Sequence, residues 1–370
     1  MPELRTRLFS PARDPLWSAV AAVLASLLIS FVAIAATGRD PLAGFGHLAS
    51  GALGGPGPLG ETAIKSAVLI LTGLSVAVAF TVGLFNIGAE GQLIWGGLAA
   101  AVVGRFDNPL ALPLSLAAAA LAGAAWGLLP GLLKVRRGVH EVISTILLNW
   151  VAIHLVHGWL VAGPLAAAGS GASVSIAGTE PVARSAWLPR LSSGSRLDLG
   201  FPLALLIAAG VWFLLTRTRR GFEWRAVGAG PEAAHASGIP SGRRVCEAMS
   251  LAGALAGMAG AFLILGTEHK YPGVFRTGYG FDGIAVALVG GGTAAGTAVA
   301  AVFFGAVRAG ATRLQLVGIH PSFAELIQGI AVLLVAAPRI FLPLWRRLRG
   351  TALPSAAAPP VPTVQPGAPP

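Results

Sequence analysis

Apolar runs dominate the chain, and short polar or Gly/Pro-rich breaks separate them. A helix that crosses a bilayer needs about 20 mostly apolar residues. Ten stretches read as spans, at 16–37, 63–84, 87–104, 110–133, 142–162, 199–216, 245–266, 279–293, 295–311 and 323–343. The eighth and ninth are short and broken by Gly290, Gly291, Gly292 and Gly296, as expected of one hairpin that does not fully cross. The Gly/Pro-rich segment 38–61 reads as an extracytoplasmic loop, and 346–370 as a disordered Ala/Pro-rich tail without apolar periodicity. The expected fold is therefore all-α and polytopic, with a cytoplasmic N-terminus at 1–15 and a membrane domain at 16–345. Spans two to five and seven to ten have similar lengths, and each set carries a glycine-broken polar motif near its start. That pattern predicts an inverted repeat, whose interface is where transporters of this build hold their cargo.

Composition agrees with the pattern. Hydrophobic residues make up 55% and charged residues 11%, against roughly 25% charged in soluble domains. The formal charge of +11 is read as membrane orientation, because no basic run is interleaved with aromatics as a nucleic-acid binder requires. Arg5, Arg7 and Arg13, Lys134 to Arg137, the arginines of 217–244, and Arg346 to Arg349 fall on one side of the ten-span arrangement. That side is expected to be cytoplasmic and to carry both termini. The first apolar run is too long for a signal peptide and reads as a retained span. The one cysteine, Cys246, excludes an internal disulfide and a paired-cysteine metal cage.

Polar groups inside apolar stretches are the candidate chemistry, since a charge at membrane depth is costly without a partner. The run 83–92 holds Asn86, Glu90 and Gln92 among glycines; in a helix Asn86 and Glu90 would share a face. Glu90 reads as a structural clamp, a substrate-positioning group or a proton carrier. In the second half, Asp282 is the counterpart carboxylate, or else the cap of a helix starting at Gly283, and Phe281 beside it could stack on a planar ligand. His140, Glu141, Ser144, Thr145, Asn149, His154 and His157 form a third set; its hydroxyls and amide read as interhelical hydrogen-bonding groups, and metal binding lacks further local ligands. Glu325 and Gln328 head the tenth span, where a helix start explains Glu325.

The longest polar insert is 217–244. Within it Pro231 suits a first helical position, Glu232 suits the first turn, and Gly238 suits a left-handed stop. Ala233, Ala234 and Ala236, with His235 and Ser237, lie between. So short a helix cannot bury a core of its own, which leaves a solvated loop or a knob for a partner's groove. No GxxxxGK[ST], HExxH or GxSxG is present, and nothing reads as a catalytic centre.

Three runs together resemble a known family: NIGAEGQ at 86–92, HEVISTILLNW at 140–150, and AVGAGPEAAHASGI at 226–239 followed by GFDGIAVALVG at 280–290. They are similar to permease subunits of bacterial ABC importers, in the branch that takes nucleosides and simple sugars and is related to the branched-chain amino acid permeases. The resemblance covers most of 60–340. It implies a core of about ten spans in a bacterial inner membrane and a second permease, alike or different. It also implies an extracytoplasmic binding lipoprotein and separate ATPase subunits docked on a coupling helix at Pro231–Gly238. ATP would be used by those partners, with no cofactor on this chain. The pathway residues it suggests are Asn86, Glu90, Gln92, Phe281 and Asp282, and the cargo is a nucleoside or, alternatively, a ribose-type sugar. A proton-coupled secondary transporter is the rival from another class. His235-Ala236 departs from the basic and aromatic pair frequent in the family, which leaves docking intact and its details open.

Overall fold

The computed structural model describes residues 15–167, 178–192, 194–275, 278–320 and 322–336. The Ala/Pro tail and nearly all of the expected N-terminal segment lie outside these. The described residues fold into helices α1 (Pro15–Ala36), α2 (Pro41–Leu53), α3 (Pro56–Thr81), α4 (Ala89–Gly104), α5 (Ala111–Arg137) and α6 (Glu141–Ile153). After these come α7 (Gly200–Arg217), α8 (Arg219–Ala229), α9 (Pro231–Ala236), α10 (Ser241–Leu263), α11 (Tyr279–Val289), α12 (Ala294–Leu314) and α13 (Ser322–Ala336). Wide π-helical turns prolong α6 to Val161 and α10 to Glu268.

Six helical stretches are long and apolar enough to cross a membrane: α3, α5, α6 with its extension, α7, α10 with its extension, and α12 with the turn after it. The described parts of α1, α11 and α13 are apolar but shorter. Four expectations need correction. Segment 38–61 is not a loop, because Asp40 caps α2 through the Leu42 N–H and Pro41 and Pro56 take first-turn positions that need no N–H. The third span begins only at Ala89, since the chain is not helical from Gly83 to Gly88, so Asn86 and Glu90 do not share a helical face. The ninth span is full length and only the eighth is short, because the glycine turn at 290–293 lies before α12 rather than within it. The polar insert holds a second helix, α8, started by the Thr218 hydroxyl accepting the Gly221 N–H.

Close contacts fix the directions. A Cβ on Gly228 of α8 would strike the carbonyl oxygen of Thr81, so α3 ends beside α8 and α9, where α10 begins. Gly123 and Gly127 of α5 lie against Gly257, Gly253 and Met249 in reverse order, making α5 antiparallel to α10. Gly283 meets Thr72 halfway along α3, and Gly292 meets Phe80 near its end. Helix α11 thus runs from mid-bundle toward the α8–α9 end. Helix α4 runs the other way, from mid-bundle to Gly104, which faces Ser115 and Val182. The order of full helix, half-helix and full helix is found in α3–α4–α5 and again, inverted, in α10–α11–α12.

The centre is held by small residues. A Cβ on Gly96 would sit 2.2 Å from the Gly257 Cα, and one on Gly253 2.1 Å from the Gly123 carbonyl oxygen. Backbones that close interlock by van der Waals contact, which substitutes for a hydrophobic drive inside lipid.

Candidate functional site

The two half-helices point their N-termini at each other in mid-bundle. Each helix start leaves backbone N–H groups without intrahelical partners and a partial positive charge. Glu90, in the first turn of α4, meets the start of α11. Its carboxylate accepts the N–H of Gly278 at 3.0 Å and that of Gly280 at 2.7 Å. The group is 3% exposed. Gly280 has no room for a side chain there, since a Cβ would fall 2.2 Å from the Glu90 nitrogen. One carboxylate thereby joins the two inverted units through charge-assisted bonds.

The rest of the 86–92 motif satisfies the non-helical backbone. The Asn86 and Gln92 carboxamides pair reciprocally at 2.9 and 3.1 Å, and Asn86 also donates to the Ser75 hydroxyl. Asn149 of α6 accepts the Gly91 N–H at 2.8 Å and donates to the Ile87 carbonyl at 2.8 Å. Ser144 and Thr145 donate to carbonyls of their own helix, not across helices. Asn86 and Gln92 have no exposed surface.

Phe281 and Asp282 reach an open face of the bundle. Phe281 is 49% exposed. Asp282 does not cap a helix at Gly283, because α11 starts four residues earlier; its carboxylate pairs with Arg308 of α12. That guanidinium also lies 3.9 Å over the Tyr279 ring, and the Arg308 carbonyl accepts from Lys65 of α3 at 3.2 Å. Of the five residues expected along the pathway, three sit in the central joint, while Phe281 and Asp282 stand on an accessible surface beside it. Sequence reasoning missed Arg308, Tyr279 and Ser75. An arginine inside an apolar run was the available signal for Arg308.

His157 bonds the Tyr271 hydroxyl at 3.0 Å, and its neighbour His154 stacks on Trp150. Among the described residues no group of three or more His, Cys, Asp or Glu side chains converges as metal ligands would. Glu141 is engaged by Lys134 at 2.8 Å, and His140 accepts the Val142 N–H. Glu325 lies in the first turn of α13, and Gln328 donates to the Phe304 carbonyl.

At the other end of the molecule, α8 and α9 form a short elbow. Pro231 opens α9, and Gly238 adopts a left-handed φ of +81° just beyond it. Glu223 pairs with Arg219 and with Arg244 of α10, which bonds Glu247, so the elbow is braced against a membrane helix. Pro231, Glu232, Ala233, His235 and Ala236 are exposed. Ala234, expected on the presented face, is instead turned inward at 5% exposure. A groove of about 560 Å³ between the two helices is lined by Phe222, Ala226, Ala229, Ala233 and Ile239, among others.

Residues 59–336, which include both half-helices and the elbow, match the family described as branched-chain amino acid transport system / permease component. The chain belongs to this family. The permease is 39% identical over 334 residues to the guanosine ABC transporter permease protein NupP of Bacillus subtilis, covering 87% of this chain and 92% of that protein. It is 32% identical to the nucleoside ABC transporter permease protein NupB of Lactococcus lactis, over 85% and 89% of the two chains. The ribose import permease protein RbsC of Escherichia coli is 26% identical over 70% and 79%. No solved structure matches the permease.

Proposed function

We propose that this permease forms the translocation path of an ATP-driven importer of nucleosides. The observation that carries the cargo is its 39% identity to a guanosine permease across 87% of the chain. The architecture supports the mechanism. Two opposed half-helices meeting at Glu90 leave a small, polar joint in mid-bundle, the feature about which alternating access can pivot. The α8–α9 elbow lies at the cytoplasmic end, and ATPase subunits on other chains press on Pro231, Glu232, Ala233, His235 and the Gly238 turn. A second permease completes the path, and an extracytoplasmic binding lipoprotein delivers cargo to the end where α3 begins. Both termini are cytoplasmic.

In this reading Phe281 and Asp282 supply cargo-facing surface by stacking and hydrogen bonding. Asn86, Glu90 and Gln92 shape the path by holding the half-helices. ATP is consumed by the partner subunits, and this chain carries no cofactor.

The test is uptake into proteoliposomes holding the permease, its ATPase and its binding protein. Labelled guanosine should accumulate only with ATP inside and binding protein outside. Ribose uptake without guanosine uptake would assign a sugar cargo, the reading favoured by the ribose permease relative. Guanosine uptake on a proton gradient without ATP would overturn the coupling.

A further inference from the structure

A second polar feature lies at the end of the bundle opposite α8 and α9. There α2, α3, α12 and the loop before α7 enclose a cleft of about 520 Å³. Its lining includes Glu61, Lys65, Arg190, Arg196, Thr312 and Arg313. The one carboxylate of the lining, Glu61, is taken by Arg196 at 3.0 Å. Lys65 donates to the Arg308 carbonyl, which satisfies a hydrogen bond without neutralising its charge. Among the described residues no carboxylate lies within ion-pair distance of Arg190 or Arg313. Asp198, behind the loop, is the other nearby acid; it accepts the Gly200 N–H, and burial pushes its carboxyl above the ordinary range despite Arg196 and Arg190. Even with Asp198 counted as ionised, two positive charges stay uncompensated.

The position of Arg313 is built into the packing. Its side chain lies across Gly51 of α2, where a Cβ would come within 3.1 Å of its Cγ and Cδ. Like charges gathered in a partly dehydrated cleft repel one another unless an anion sits among them. Two unpaired guanidinium groups present planar forks of donors, a geometry suited to the several oxygens of a phosphate and less to a single carboxylate. Exposed apolar side chains adjoin the lining: Leu53 at 60% and Leu59 at 49%. The mouth of the cleft therefore offers cations beside a greasy rim at the end of the membrane-length helix α3.

The geometry points to a binding site for a phosphate-bearing anion between Lys65, Arg190, Arg196 and Arg313. Such a group has two sources, an anionic phospholipid headgroup whose acyl chains follow Leu53 and Leu59, and a soluble phosphate. The site is separate from the central joint and does not depend on the cargo.

Native mass spectrometry of the full-length permease, after exchange with equal phosphatidylglycerol and phosphatidylcholine, tests the first source. Titration of inorganic phosphate against the melting midpoint tests the second. The expected result is at least about fivefold preference for phosphatidylglycerol, or a saturable rise in midpoint with phosphate, the preference falling to about onefold or the rise being lost in the Arg190→Gln/Arg313→Gln double variant, and either one unchanged in Arg105→Gln. A response to phosphatidylglycerol alone assigns the headgroup, and a response to phosphate assigns a small-oxyanion site. The proposal is overturned if the wild type shows neither response. It is overturned equally if the double variant keeps the wild-type response while losing affinity only for the binding protein. Should the double variant fail to fold, the wild-type preference decides the matter.

Discussion

Glu90 sits where a charge is hardest to keep, deep in a membrane bundle, and the fold meets it with the backbone N–H groups of Gly278 and Gly280. Hydrogen bonds to a charged group contribute roughly 1.5–3 kcal/mol, and a buried donor left unsatisfied costs a comparable amount. Glu90→Gln keeps the shape but removes the charge, and its amide can satisfy only one of the two N–H groups at Gly278 and Gly280 as an acceptor. The variant is expected to lose about 1–2 kcal/mol of stability and Glu90→Ala about 2–4 kcal/mol, read as falling melting midpoints in detergent. An unchanged midpoint for Glu90→Ala would mean that the joint does not hold the two halves together. That Glu90 needed a partner was legible in the sequence. Its partners were not, because Gly278 and Gly280 are nearly two hundred positions away and offer only backbone N–H groups, which no residue type advertises. The cap alternative for Asp282 stayed open for a similar reason: its partner Arg308 is 26 positions away, in the next helix.

At the scale of elements, hydropathy located α5, α7 and α10 within a few residues and α3 with its start placed too late, at 63 rather than Pro56, past a stretch of glycines and prolines, since length and apolar content define a lipid-crossing helix. It failed where length and depth separate. Helix α2 escaped because its glycines and flanking prolines look like loop punctuation, although Pro41 and Pro56 are helix starters here. Helices α4 and α11 were read as an ordinary and a broken span, because apolar content by itself does not tell a half-helix from a crossing one. The glycine seam connects sequence to packing most directly. Gly96→Ala drives a methyl into the Gly257 backbone, whereas Gly210→Ala on α7 meets nothing within 4 Å. Overpacking of that kind costs about 1–3 kcal/mol or more, while alanine in an open helix interior is favoured by up to about 1 kcal/mol over glycine. The yield of monodisperse permease should therefore collapse for Gly96→Ala and hold or rise for Gly210→Ala in size-exclusion profiles. Equal yields would show that α4 and α10 are not packed backbone to backbone.

Across the whole molecule, the elbow and the central joint stand at different depths of one rigid path. Glu223 bridges α8 to Arg244 at the foot of α10, and α10 packs on α4, whose first turn holds Glu90. A push on α9 therefore reaches the half-helix joint through packed helices and ion pairs, with no flexible linker between. Two consequences can be separated by experiment. Replacing the only cysteine in Cys246→Ser and placing one at His235, which is exposed, should give a disulfide or short crosslink to the ATPase. A cysteine at Ala234, which faces inward, should react more slowly by about tenfold or more, since thiol chemistry requires an accessible thiolate. Glu223→Gln should leave the His235 crosslink in place, because α9 keeps its surface, yet weaken transport, because the brace to α10 loses its charge. The readout is the ratio of guanosine uptake to ATP hydrolysed in proteoliposomes, expected to fall several-fold while hydrolysis continues. If uptake and hydrolysis fall together, Glu223 acts in docking rather than in transmission. If neither changes, the force passes through another contact, such as Gly228 against the end of α3.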